Sequence, residues 1–186
     1  MNERYLYKDL EAHLQKKQVT VITGMRRVGK STAVKYLLGK APHKNSLYLD
    51  CERIEIRTLL NRPNYEEIKE NLELRGLDFT KSCIIACDEI QLVENLPSLI
   101  KYLYDTYEIK FIVTGSSSYY MKNRFSESLA GRKKIFQMYP LNFGEFLGFK
   151  KVWTKTFDNY KWKPFKNAWY NRAKDWYAEY LKFGGF

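Results

Sequence analysis

Eight consecutive residues, Gly24-Met25-Arg26-Arg27-Val28-Gly29-Lys30-Ser31, set two glycines ahead of a lysine and a hydroxyl at the spacing of a triphosphate-binding loop. The chemistry needs each residue type where it stands. Gly24 and Gly29 let the backbone curl so that its N–H groups point inward, and a helix starting near Gly29 turns its positive end to the phosphates. Lys30 can then reach the β- and γ-phosphates, and the Ser31 hydroxyl can ligate Mg²⁺. The loop backbone makes Gly24, Arg26, Arg27, Val28, Gly29, Lys30, Ser31 and Thr32 the candidate nucleotide-binding residues, with the Arg26 and Arg27 side chains turned away from the phosphates. An ordinary glycine-containing strand-to-helix turn is the competing reading.

Three further groups could complete such a site. An apolar run, Cys83-Ile84-Ile85-Ala86-Cys87, ends in Asp88-Glu89. Asp88 would hold Mg²⁺ directly or through its second sphere, and Glu89 would orient or deprotonate the attacking water. The segment Thr114-Gly115-Ser116-Ser117-Ser118 offers hydroxyls that could sense the γ-phosphate, with Ser116 and Ser117 the candidates, or could simply cap a helix. Arg132 could deliver a guanidinium to the γ-phosphate from a neighbouring subunit, or serve as a surface ion-pairing residue.

These residues need a scaffold that brings strand ends together. Apolar spacing predicts a lead-in helix over residues 3 to 17, strands at 19 to 23, 46 to 51, 83 to 87, 110 to 114 and 134 to 138, and helices at 29 to 39, 64 to 75 and 97 to 107, with a further helical segment to about 129. Strand and helix alternate, so the expected fold is α/β, a three-layer sandwich on a mostly parallel five-stranded sheet. Ligands then collect at the carboxyl ends of the strands. The apolar periodicity ends near Gly148, dividing residues 1–148 from a basic, aromatic helical segment at 149–186.

Composition narrows the class. The 186-residue chain has a formal charge of +11. Residues 1 to 149 hold 23 Lys/Arg against 18 Asp/Glu, and residues 150 to 186 hold 9 against 3, so the last fifth carries +6 of the excess. Basic residues there interleave with Trp153, Trp162, Trp169, Trp176 and several Tyr and Phe, a pattern that suits single-stranded nucleic acid or a helical appendage resting its aromatics on a neighbouring domain. No apolar stretch is long enough to span a bilayer and no secretory signal is visible, so a cytoplasmic protein with no membrane partner is expected. Cys51, Cys83 and Cys87 do not form a disulfide framework; Cys83 and Cys87 share a strand face about 13 Å apart. His13 and His43 stand away from any ligand cluster and read as surface residues.

The blocks Thr23 to Ser31, Asp88-Glu89-Ile90-Gln91, Val113-Thr114-Gly115-Ser116-Ser117, Leu129-Ala130-Gly131-Arg132 and Pro140-Leu141-Asn142-Phe143-Gly144-Glu145-Phe146-Leu147 together resemble the prokaryotic AAA-type P-loop ATPases that carry a C-terminal domain of unknown function. The resemblance implies ATP and Mg²⁺ as ligands, a strand inserted between the loop strand and the acidic strand, and hydrolysis regulated by homo-oligomerisation or a protein partner. It also implies that the chain corresponds to the ATPase portion of a protein about twice as long. The leading expectation is an ATP-hydrolysing switch or motor. The alternatives are a nucleotide-gated nucleic-acid-binding module working through the basic C-terminal segment, and a small-molecule kinase on the same scaffold.

Overall fold

The computed structural model describes residues 4–42, 44–115, 129–152 and 167–184. His43, Ser116, Ser117, the helical segment expected up to about 129, and the aromatics Trp153 and Trp162 lie outside them, as does the Trp169 side chain. The described residues group into two compact units, Asp9–Met138 and Met1–Lys8 with Tyr139–Phe186.

The larger unit is built on a five-stranded sheet in the order β2-β3-β4-β1-β5. Its strands are β1 (Val19–Gly24), β2 (Ser46–Asp50), β3 (Cys83–Asp88), β4 (Ile109–Gly115) and β5 (Lys133–Met138). Every neighbouring pair is parallel. The three central strands are buried along their whole length, as their continuous apolar sequence requires of strands covered on both faces. The edge strands β2 and β5 are only partly buried. As the resemblance implied, β4 stands between the loop strand β1 and the acidic strand β3.

Two helical layers follow from strand alternation. Val19 and Val21 of β1, Cys83, Ile85 and Cys87 of β3, and Ile109, Phe111 and Val113 of β4 share one apolar cluster with α3 (Ile54–Leu60), α4 (Tyr65–Leu74) and α5 (Leu96–Thr106). Leu96, Leu99, Ile100 and Leu103 recur at helical spacing and bury one stripe of α5. Residues of the opposite parity, among them Ile22, Ile84, Ala86 and Ile112, are equally buried. They face the side on which α2 (Lys30–Gly39) supplies Ala33, Val34 and Leu37.

Helix α3 was not expected; at seven residues it is too short for its periodicity to stand out in the sequence. Asn64 caps α4 through hydrogen bonds from the N–H groups of Glu66 and Glu67, at 3.0 and 3.4 Å. His13, expected on the surface, is 4 % exposed. It lies at the end of the helix α1 (Tyr5–Leu14), where Nδ1 meets Thr20 Oγ1 at 2.8 Å and the ring packs edge-on to Phe136. The apolar ring body, with Gln18 Oε1 3.4 Å from Nε2 and Lys110 Nζ 3.5 Å from Nδ1 as further polar partners, suits burial, which spacing alone could not reveal. Beside it Lys110, 8 % exposed, donates to the carbonyls of His13, Lys16 and Gln18 at 2.9, 2.7 and 2.6 Å. It thereby satisfies carbonyls that the end of α1 leaves open.

The smaller unit contains α6 (Phe143–Phe149) and α7 (Asn167–Phe183). Asn142 and Glu145 form a reciprocal capping box at the start of α6. Glu145 also pairs with Arg4 at 2.9 Å, both nearly buried. Phe143 and Phe146 pack against Tyr180, whose hydroxyl donates to the Leu141 carbonyl at 2.9 Å. No helix among the described residues is long and apolar enough to cross a membrane.

Candidate functional site

At the carboxyl end of β1 the chain leaves the sheet through Gly24, whose φ is +157°. A Cβ at this position would stand 2.2 Å from the Met138 carbonyl oxygen of the paired strand β5, so only glycine fits. Arg27 and Gly29 then adopt left-handed backbone, at φ 65° and 95°. Two such residues in close succession curl the loop and turn its N–H groups toward a common concavity. Met25, Arg26 and Arg27 are exposed and Val28 is buried, anchoring the loop from beneath.

Gly29 is the N-cap of α2 and has no side chain to satisfy the helix's first N–H groups. That leaves the amides at Lys30, Ser31 and Thr32 directed out of the helix start, where its positive end attracts an anion. Ser31 is half-buried and Thr32 exposed.

Lys30 is 4 % exposed, and its ammonium folds back onto the loop, donating to the carbonyls of Gly24 at 3.2 Å and Met25 at 2.9 Å. The same Nζ lies 3.7 Å from Glu89 Oε1. The loop and the acidic pair, separated by more than fifty residues in sequence, therefore meet on one side of the sheet.

Asp88 is the last residue of β3 and is 3 % exposed. Its Oδ1 accepts from the Thr114 hydroxyl, and Oδ2 accepts from the Tyr48 hydroxyl at 2.6 Å. Burial and this bond to Asp88 push the Tyr48 phenol well above its ordinary value. Thr114 Oγ1 also accepts the Glu89 N–H at 3.1 Å, so a single hydroxyl ties both acids to the end of β4. Glu89 is left-handed, at φ 53° and ψ 50°. For a residue with a Cβ that conformation costs on the order of 1–2 kcal/mol, offset here by the bonds that fix it.

The donors suit Mg²⁺. Each Asp88 oxygen receives one hydrogen bond and keeps a lone pair free for the metal or for one of its waters, and Ser31 adds a hydroxyl oxygen. Among the described residues there is no group of three or more His, Cys, Asp or Glu that would hold a metal by protein ligands alone. A hard ion that keeps most of its water and borrows phosphate oxygens needs none.

Arg132 is not brought to this cluster. Its carbonyl accepts the Val19 N–H at 2.7 Å, at the opposite end of β1 from the loop. That places it about 17 Å away along the strand. Its guanidinium makes a two-pronged pair with Asp105 at 3.1 and 3.2 Å. Ser116 and Ser117 lie outside the described residues.

Sequence reasoning passed over Thr114 and Tyr48. Thr114 belongs to the hydroxyl run singled out from the sequence, but as the last-but-one residue of β4 it faces the acids. Tyr48 lies two residues before the strand end that pairs Asp50 with Asp88, the spacing that keeps side chains on one face. Only the strand order, which places β2 and β4 on either side of β3, makes either residue a neighbour of Asp88.

Residues 16–147 match the family described as AAA domain. An uncharacterized protein of Methanocaldococcus jannaschii is 29 % identical over 183 residues, 98 % of this chain and 38 % of its own length. An uncharacterized protein of Haemophilus influenzae is 26 % identical over 173 residues, 90 % of this chain and 39 % of its own. The chain thus spans well under half the length of these curated relatives. The solved Aeropyrum pernix ORC1 protein, in complex with DNA, shares the fold with a TM-score of 0.54 at 13 % identity, over 78 % of this chain and 47 % of that one. With its glycine loop, its parallel sheet in P-loop order and its match over residues 16–147, the chain belongs to the AAA domain family, whose fold is that of nucleotide-binding ATPases.

Proposed function

We propose that the chain binds ATP with Mg²⁺ and hydrolyses it, acting as a nucleotide-driven switch or motor in the cytoplasm. The observation that carries this reading is the meeting of Lys30 and Glu89 at 3.7 Å beside an Asp88 fixed by two hydroxyl donors. The amides at the start of α2 receive the phosphates, and Lys30 exchanges its loop carbonyls for β- and γ-phosphate oxygens. Ser31 and Asp88 would hold Mg²⁺, which when bound neutralises charge on the phosphates. Glu89 orients the attacking water and takes up its proton, in a reaction that asks for positioning more than covalent chemistry.

Arg132, engaged with Asp105 at the far end of β1, serves the nucleotide of a neighbouring copy rather than its own. Ser116 and Ser117, following β4, sense the γ-phosphate. Phosphate release in magnesium buffer tests the whole reading. Turnover should need Mg²⁺, disappear in Lys30→Ala, and leave ATP bound but poorly hydrolysed in Glu89→Gln; a Glu89→Gln protein with wild-type turnover would overturn it.

A second reading rests on charge. Residues 150 to 186 carry 9 Lys/Arg against 3 Asp/Glu, which supports nucleotide-gated binding of nucleic acid through that segment. Affinity for a single-stranded oligonucleotide should then fall steeply with salt. Binding that ignores salt, or is absent, removes it.

A further inference from the structure

Gln91 has no part in the chemistry described so far, yet its side-chain amide Nε2 donates to Glu89 Oε2 at 2.5 Å. Two features make this contact a built one. Residues Ile90–Leu92 form a single 3₁₀ turn, closed by the Leu92 N–H on the Glu89 carbonyl at 3.2 Å and the Val93 N–H on the Ile90 carbonyl at 3.1 Å. Ile90 and Val93 are completely buried in the main core, so the turn cannot drift relative to the sheet. Glu89 itself is bent into left-handed backbone, which aims its side chain back toward both Gln91 and Lys30.

The carboxylate therefore has its two oxygens in different hands. Oε2 is held by a neutral amide on a fixed turn, and Oε1 faces the Lys30 ammonium at 3.7 Å. Resting on the hydrolytic reading above, we propose that Gln91 is the positioning residue of Glu89, keeping Oε2 throughout the cycle so that Oε1 is the oxygen presented to water when Lys30 leaves it for the phosphates. The arrangement couples the base to the ligand: the cation that a triphosphate recruits is the one now covering the catalytic oxygen. A neutral donor suits the task, because a cation at position 91 would stay paired with the carboxylate and an apolar residue would let it rotate.

The test compares wild type, Gln91→Ala, Gln91→Glu, Glu89→Gln and the double variant Glu89→Gln/Gln91→Ala. Steady-state hydrolysis, equilibrium binding of a fluorescent ATP analogue and Tm are measured for each. Gln91→Ala is expected to lower kcat about 10- to 100-fold while leaving nucleotide affinity and Tm close to wild type. Gln91→Glu, equal in size but without a donor, should be at least as impaired. In the Glu89→Gln background the alanine should cost nothing further, since a residue acting only through Glu89 is coupled to it.

An unchanged or raised kcat in Gln91→Ala overturns the proposal, as do effects on affinity and Tm that match the loss of kcat, or additivity in the double variant. Loss of turnover in Glu89→Gln without loss in Gln91→Ala sinks the role of Gln91 alone. Turnover that is absent, or survives Glu89→Gln, removes the hydrolytic reading and this inference together.

Discussion

Lys30 Nζ stands 3.7 Å from Glu89 Oε1 while it also donates to the carbonyls of Gly24 and Met25, so the cation proposed to meet phosphate is held by three groups of its own chain. A buried ammonium needs such partners, because leaving it bare would cost several kcal/mol. Lys30→Ala should therefore act on two levels. It removes the phosphate contact, reducing ATP affinity or turnover at least 100-fold, and it frees Glu89 from its ion pair with only a small change in Tm. Calorimetric ATP titration with a parallel melt separates the two, and a variant that binds ATP as wild type would contradict the first.

Thr114 shares one hydroxyl between the Asp88 carboxylate and the Glu89 N–H. Thr114→Val preserves shape and strips away both bonds, leaving buried polar atoms unsatisfied at about 1–3 kcal/mol. The expected result is a Tm lowered by several degrees together with a kcat loss, and recovery of both in Thr114→Ser. Recovery of neither in the serine variant would show that the methyl, not the hydroxyl, matters.

Gly24 and Gly29 differ in why they are glycine. At Gly24 an added Cβ meets the backbone oxygen of Met138 at 2.2 Å, and backbone cannot swing aside. At Gly29 the nearest atom is the flexible Met138 Cε at 3.7 Å, leaving only the backbone strain of φ 95°. Gly24→Ala should thus lose about 3 kcal/mol by forcing β1 and β5 apart, and Gly29→Ala about 1 kcal/mol. Urea unfolding of the two variants should preserve that order, with Gly24→Ala the weaker protein.

Burial pushes the Lys110 ammonium down to about 7 from an ordinary 10.5. Between those values the unfolded chain binds more protons than the native one, so this group makes stability rise with pH from 7 to 10.5, and below 7, where both states are protonated, it adds no further pH dependence. Measured against Lys110→Met, wild-type unfolding free energy should improve with pH across that window, by at most about 1.4 kcal/mol per unit. A flat difference would mean that the three carbonyls around Lys110 hold its charge against desolvation.

The thiols should be inert in the native state. Burial pushes Cys51 up to about 12 and Cys83 up to about 11, and raises Cys87 well above its ordinary range. The thiolate is the reactive form, so a disulfide reagent at pH 8 should label none of the three until denaturant is added. Rapid labelling of the folded protein at any of them would show that the strand ends open readily.

The glycine loop, the strand that delivers it, the acidic pair and the alternation of strands and helices were legible in the sequence. Each depends on residues close in the chain: glycine spacing, an apolar run, a period of two or 3.6. The short helix Ile54–Leu60 was not, because seven residues carry too little period to read. His13 was misread as a surface residue for a related reason, since its burial is made by Thr20, Phe136 and Lys110.

What tertiary structure alone decided is who stands beside whom. The strand order β2-β3-β4-β1-β5 puts Tyr48 and Thr114 on either side of Asp88, although sixty-five residues lie between them in sequence. The same order sets Lys30 against Glu89 and leaves Arg132 paired with Asp105 at the other end of β1. A linear chain reveals the types and local spacing of its groups because those act over one turn or one strand. It does not reveal which strand ends converge, because that choice is made by long-range burial of apolar faces, to which every element contributes at once.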